Sequence, residues 1–514
     1  VNVKKICLTL LCVLAACSDE PHGVKLGAGI ARSLTVAPGG GAVAFLVDAV
    51  HPNDRAVPDD LQLGELWMGS LEKPAQHSGS GVPSTPGAWA FSADGSELAL
   101  LANFRFRAGE GELWVQRPGA APRQVAASVS LFAWSATGAL AYVAQNKLAV
   151  LQPGGAPTPL LPLEGIRTFG WSPDGRSLAA RGPASGGGKL WLIDVSSGRK
   201  REVASGTSDY SFAPDGTLAP DGTLALLGSS SAKGGDRPLL LASPAEDGPA
   251  RAVARATSFA FAPSGKELAL LSTEKQPGEA FGELSRLSRA DGVQQILGQK
   301  ASEFRFTPAG DLLFLSRYDV RARAGILTYA KAGEPPRDIA SKVQSFVIAP
   351  QGKRVLYLVQ SVQKGDYKIE LWTVELGPAT AAPRKIDEGV YGYQLTPDGA
   401  TLFWKARCSG GSRSCSLLRA PIDGSQPPLF LIANVAGFDL SKDAQRVLIQ
   451  QPHRGATMAV DLAVIPAQGP AQEHVKPFAV EVDPSSRFAD DRGRRALFAT
   501  LAAGRGAVYS AEVP

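Results

Sequence analysis

The stretch Phe169-Gly170-Trp171-Ser172-Pro173-Asp174-Gly175-Arg176-Ser177-Leu178-Ala179-Ala180 decides the fold, because near-copies of it return along almost the whole chain. The copies run Leu34 to Gly40, Trp89 to Gly95, Phe132 to Gly138, Tyr210 to Gly216, Phe259 to Gly265, Phe304 to Gly310, Phe346 to Gly352 and Tyr393 to Gly399. A weakened copy spans Phe438 to Ala444, and a degenerate one lies near Phe488 to Gly493. In each, two apolar residues at i and i+2 share one face of a strand. A proline or its substitute starts a type I turn, Asp or Ser suits the next corner, and glycine takes the left-handed position that closes the hairpin. An apolar run such as Leu98 to Leu101 or Val355 to Leu358 then returns. Runs without strict alternation suit strands buried on both faces.

Two further strands complete the unit. The third reads Glu-Leu-Trp at Glu65 to Trp67, Glu112 to Trp114 and Glu370 to Trp372, with Lys189 to Trp191 as a variant. The fourth is short, as at Arg123 to Ala126 or Arg201 to Ala204. Four antiparallel strands in a period of about 45 residues is the arithmetic of a β-propeller blade. The fold class expected is therefore all-β, with about eleven four-stranded antiparallel blades. Eleven exceeds the usual range for one ring, about four to eight, so two propellers are expected. The boundary is placed in the Pro/Gly/acid stretch Ser243 to Pro249, giving an N-terminal propeller over 33–248 and a C-terminal one over 249–514. The last blade lacks a fourth strand after Tyr509, and Val24 to Ala31 is a candidate to supply it. The tandem duplication Ala213 to Leu218 and Ala219 to Leu224 reads as one lengthened turn.

The Ser-Pro-Asp-Gly hairpin followed by a Glu-Leu-Trp strand resembles the WD-repeat-like propeller repeat of the TolB family. The resemblance covers nearly the whole chain after residue 32 and implies a rigid scaffold acting in envelope assemblies. It departs from that family in having about twice the blades. Related propellers accompany peptidases, but no Gly-x-Ser-x-Gly nucleophile elbow is present. The Gly-His and Trp-Asp signatures of true WD repeats are also absent.

Residues 1–16 place Lys4 and Lys5 before an apolar run, a secretory signal pattern too short to span a bilayer. Leu14-Ala15-Ala16-Cys17 resembles the bacterial lipobox, which implies a lipid on Cys17 and a tether over 17–32. Ser18 after that cysteine implies sorting to the outer membrane, facing periplasm or cell surface. The lipid would be the chain's only membrane attachment.

The formal charge of +5 in 514 residues gives no electrostatic case for nucleic acid. Of five cysteines, Cys408 and Cys415 remain outside the leader and anchor and flank one short loop, so a disulfide is expected. The five histidines are scattered, and no metal site, cofactor or catalytic group is assigned. Acids in the Pro-Asp-Gly turns, such as Asp174 and Asp398, fit turn geometry, and the eight tryptophans fall mostly on blade strands. The long, variable connection is the second one in each blade, and long loops on a rigid scaffold are where binding tends to sit. The candidate binding residues are His51, Asp54, Arg105, Arg107, Tyr318, Asp319, Arg321, Arg323, Asp366 and Tyr367. The function expected is a non-enzymatic envelope lipoprotein that holds a protein or a cell-wall or surface polymer. The alternative is a carbohydrate-active or other hydrolytic propeller enzyme.

Overall fold

The computed structural model describes residues 23–514, apart from 53–56, 59, 162–164, 184–187, 207–208, 213–222, 229–234, 244–245, 247, 274–280, 364–365, 378–380, 410–412, 455–457, 471 and 502–505. Cys17, Asp54 and the duplicated turn lie outside the described residues. Among the described residues every regular element is a strand, and the strand pairs are antiparallel. Seven of the nine sheets have four strands and two have seven. Each seven-stranded sheet holds two blades joined by one twelve-residue strand, Arg123–Trp134 or Arg337–Ile348. That strand is the outer strand of one blade and the inner strand of the next. Among the described residues this makes eleven blades of four strands.

The repeated phrase supplies each inner strand and turn. In blade 4, Thr168–Trp171 pairs with Ser177–Arg181, then come Leu190–Asp194 and Lys200–Ala204. The second strands are the buried layer: Leu98 to Leu101 and Leu312 to Leu315 are 5% exposed or less. The inner strands are half-buried, as at Trp89–Phe91 and Ser258–Phe261. The turn holds more than its proline and glycine. Ser172 Oγ accepts from the Ser177 N–H at 2.9 Å and donates to Asp174 at 2.6 Å, while Asp174 accepts from the Arg176 N–H at 3.0 Å. The same bonds recur at Ser92/Asp94, Thr396/Asp398 and Ser441/Asp443. In these copies a hydroxyl two residues before the Asp closes the turn.

Adjacent blades are joined by the aromatic at the phrase's third position. The Trp134 indole N–H donates to the Ala90 carbonyl of blade 2 at 3.0 Å, and Trp171 donates to Ala133 of blade 3 at 3.0 Å. Apolar cores fill each junction in turn, from blade 1 against blade 2 through to blade 10 against blade 11. The circuit closes where Leu26, Leu497 and Val508 of blade 11 meet Leu34, Val43 and Phe45 of blade 1. Val24–Ala28 is the outer strand of blade 11, paired with Ala507–Glu512 so that Val24 faces Ser510 and Ala28 faces Ala507.

This packing corrects the division at 248/249. Arg251–Ala256 lies beyond that boundary, yet it pairs with Arg237–Ala242 as the outer strand of blade 5. Blades 5 and 6 share a core through Leu227, Leu239, Ala256, Leu268 and Leu270. Two rings would instead need blade 5 to return to blade 1 and blade 11 to blade 6. The cores run in one circuit through all the blades. The expectation of two rings rested on how many blades rings usually have, and no residue encoded it.

Candidate functional site

In a blade of this topology the second connection and the crossover to the next blade share one face of the ring. Hydrogen bonds tie them together: Ser84 N–H donates to the Gln62 carbonyl at 2.8 Å, and Arg105 donates to Ser128 Oγ at 2.9 Å. The backbone is bent sharply here. Asp48, Asn103, Arg317 and Arg407 take positive φ at the ends of second strands, near 50°. Ser128, Lys300, Lys342, Asn434 and Glu481 do so at the ends of fourth strands. Strand pairing slips at the same places, as between Ala102 and Arg105 or Ser316 and Asp319. These bulges turn the loops out of the sheet.

The sequence-derived candidates fall on this face but do not converge. His51 ends the second strand of blade 1 and is half-buried. Arg105 and Arg107 sit together in blade 2, exposed, with Arg105 paired to Glu110 at 3.4 Å. Five blades away, Tyr318, Asp319, Arg321 and Arg323 share one loop of blade 7. Tyr318 is drawn inward against the core of blades 7 and 8. Asp319 accepts from the N–H groups of Arg321 and Ala322, at 2.8 and 3.2 Å, so it shapes its own loop. Arg321 and Arg323 are exposed. Asp366 and Tyr367 begin the third strand of blade 8.

The composition of that face was missed. Nine large apolar side chains are exposed among the described residues, and six of them lie here: Ile30, Val50, Val320, Tyr391, Met458 and Val480. Val50 and Met458 are the most exposed, at 66% and 65%. The available signal was an apolar residue in a connection or at the strand end beside it, outside the repeated phrase. The Arg413 guanidinium reaches the Met458 sulfur at 3.3 Å, linking the loops of blades 9 and 10. His453 and Asp461 pair beside them at 2.7 Å. Cys408 and Cys415 are disulfide-bonded across the second connection of blade 9.

Groups with chemical potential elsewhere are structural. His77, Glu65 and Ser80 meet on the outer strands of blade 1, but Glu65 at 2.7 Å and Ser80 at 3.4 Å both face the same ring nitrogen, Nε2. A proton relay needs them on opposite nitrogens. Asp94 is held ionised: the Ser92 hydroxyl and the Ser96 N–H bring its carboxyl down to about 2. The Thr396 hydroxyl, then the Ala400 N–H, lower Asp398 likewise. On blade 8, Lys385 and Lys368 bridge Glu388 and bring its carboxyl to about 2. Among the described residues no three His, Cys, Asp or Glu side chains are grouped to hold a metal ion.

Blades of four antiparallel strands, packed face to face around a closed circuit, make this chain a β-propeller protein. No protein-family profile and no curated relative matches the sequence. Solved structures similar in fold include oligogalacturonate lyase from Vibrio parahaemolyticus, 12% identical over 95% of this chain and 99% of that one, with a TM-score of 0.33. Sqt1 from Chaetomium thermophilum is 15% identical over 66% of this chain and 96% of its own, with a TM-score of 0.35. A TolB protein from Agrobacterium tumefaciens is 15% identical over 52% of this chain and 94% of its own, with a TM-score of 0.24.

Proposed function

We propose that the chain is a non-enzymatic scaffold of the bacterial cell envelope, anchored by a lipid on Cys17, whose second-connection face holds a protein partner. One observation carries this reading: most of the exposed large apolar side chains gather on that face, on loops held out by bulges. Exposed apolar side chains held on one face of a rigid scaffold offer anchors for a partner, and exposed cations such as Arg321 and Arg323 beside Val320 suit a polar rim. The rigid circuit of blades fixes the loops relative to one another, which lowers the ordering cost of binding. The anchor rests on the lipobox at Leu14 to Cys17.

The test is cross-linking capture from the native envelope. Wild-type protein is compared with Val50→Asp, Val320→Asp and Met458→Asp, each of which puts a charge at an exposed apolar position of that face without touching a core residue. A partner that is captured by wild type and lost from these variants is the expected result. Equal recovery by all four would remove the assignment of the face. Metabolic labelling with a radioactive fatty acid, present in wild type and absent from Cys17→Ser, tests the anchor.

A further inference from the structure

The tight-turn face, opposite the loops just described, carries an opening in its packing between blades 2 and 3. Each blade's first turn normally rests on the turn before it. A Cβ built on the turn glycine would lie 2.4 Å from the Pro38 carbonyl at Gly95, 2.7 Å from Pro308 at Gly352 and 2.8 Å from Pro350 at Gly399. At Gly138 of blade 3, as at Gly310, that contact is missing: only Pro153, of the same blade, comes within 3.7 Å. The first turns of blades 2 and 3 therefore leave a gap between them.

That gap is a cleft of about 490 Å³. Its floor is apolar, made by Val115, Trp134 and Leu151, and its rim carries Glu97, Arg117 and Arg123. The Trp134 N–H is already committed to Ala90, so the indole presents carbon to the cleft. Glu97 neutralises Arg117 at 2.7 Å, with the carboxylate the less exposed of the two. Arg123 is exposed and has no acidic partner among the described residues. The rim therefore bears one uncompensated positive charge above an apolar, aromatic floor. A volume of this order is that of a small-molecule site, about 300–1,000 Å³.

We propose that this cleft binds a small organic acid: a ring or other apolar body against Trp134, with a single carboxylate on Arg123. A guanidinium recognises a carboxylate through paired N–H donors, and a charge-assisted bond of this kind is about twice as strong as a neutral one. One net positive charge suits a monoanion better than a phosphate. This site is independent of the loop face, so its test and that of the protein partner fail separately.

The probe is 1-naphthoate, titrated into the full-length protein by calorimetry, with 1-naphthamide as the uncharged control. Saturable one-to-one binding of the acid is expected. The amide and the Arg123→Gln variant should each bind about tenfold more weakly, and Arg123→Lys should recover part of the loss. Ala121→Trp, which fills the cleft mouth, should abolish binding while leaving the thermal melt unchanged. Absence of 1-naphthoate binding at millimolar concentration would overturn the proposal. So would unchanged affinity in both Arg123→Gln and Ala121→Trp.

Discussion

Replacing Leu26 by alanine tests the seam at which the circuit closes. Leu26 is 1% exposed, in the core it shares with Phe45, Leu497 and Val508. Its carbonyl also accepts from the Ala75 N–H at 2.8 Å, and Gly29 N–H donates to Gly506 at 2.7 Å. Truncating a buried leucine costs about 2–5 kcal/mol, according to how far the site collapses. The seam strand can open without the rest of the array, so the loss should appear as local opening. At about 1.4 kcal/mol per tenfold, a loss of about 3 kcal/mol speeds amide exchange about a hundredfold. Hydrogen exchange read by mass spectrometry should show this acceleration in Ala507–Glu512. Leu100→Ala, equally buried but between blades 1 and 2, is the control: it should loosen its own blade and leave 507–512 protected. If Leu26→Ala leaves Ala507–Glu512 as protected as wild type, the seam is not what holds the last blade.

Three further outcomes are expected. Cys408→Ser with Cys415→Ser should lower stability by about 2–3 kcal/mol in the chain-entropy treatment of a short loop, and wild type should show two new thiols only after reduction. Trp171→Phe removes one inter-blade hydrogen bond while keeping most of the ring's packing, and should lower stability by about 0.5–1.5 kcal/mol in chemical denaturation. The acids divide by the direction in which they titrate. Asp94 and Glu388 are depressed to about 2, so their contribution is full above the ordinary carboxylate range and is lost as pH falls toward 2. Burial raises Asp439 instead, so its charged form opposes folding at neutral pH. Asp439→Asn, which keeps an acceptor for the Phe488 N–H, should melt at or above wild type at pH 7, with the difference shrinking as pH falls. A lower melting point for Asp439→Asn at pH 7 would show that the Phe488 contact outweighs burial of the charge.

The scaffold was legible because each blade repeats the same local physics. The aromatic pair, the turn and the buried return strand are contiguous, so a short window contains the whole argument. The Ser or Thr at the first position of the turn was visible in several copies, with Ala in others, but its role needs the backbone geometry that brings Ser172 Oγ onto the Ser177 N–H. The Trp134 bond to Ala90 spans a whole blade and has no local signature. The blade count of about eleven was legible, but the way the blades close was not, since closure is settled by the seam core around Leu26 and Val508, far apart in the chain. The loop candidates were chosen for charge and aromaticity, which singled out Asp319 and Tyr318, residues that organise their own loop and core. The exposed Val50 and Met458 were passed over because apolar residues are ordinarily read as interior. The cleft at Gly138 arises from a contact that fails to form, and a missing contact leaves no motif.

The seam has a consequence in time. Val24–Ala28 and its partner Ala507–Glu512 are separated by about 480 residues of chain, and the earlier strand is made first. At about 5–20 residues per second, roughly 25–100 s of synthesis separates the two. Throughout that interval the early strand has no partner, and its open edge invites pairing with other chains. Whatever receives the growing polypeptide must shield that one strand until Ala507–Glu512 arrives, so a delay within that interval is where this protein is most exposed to misassembly.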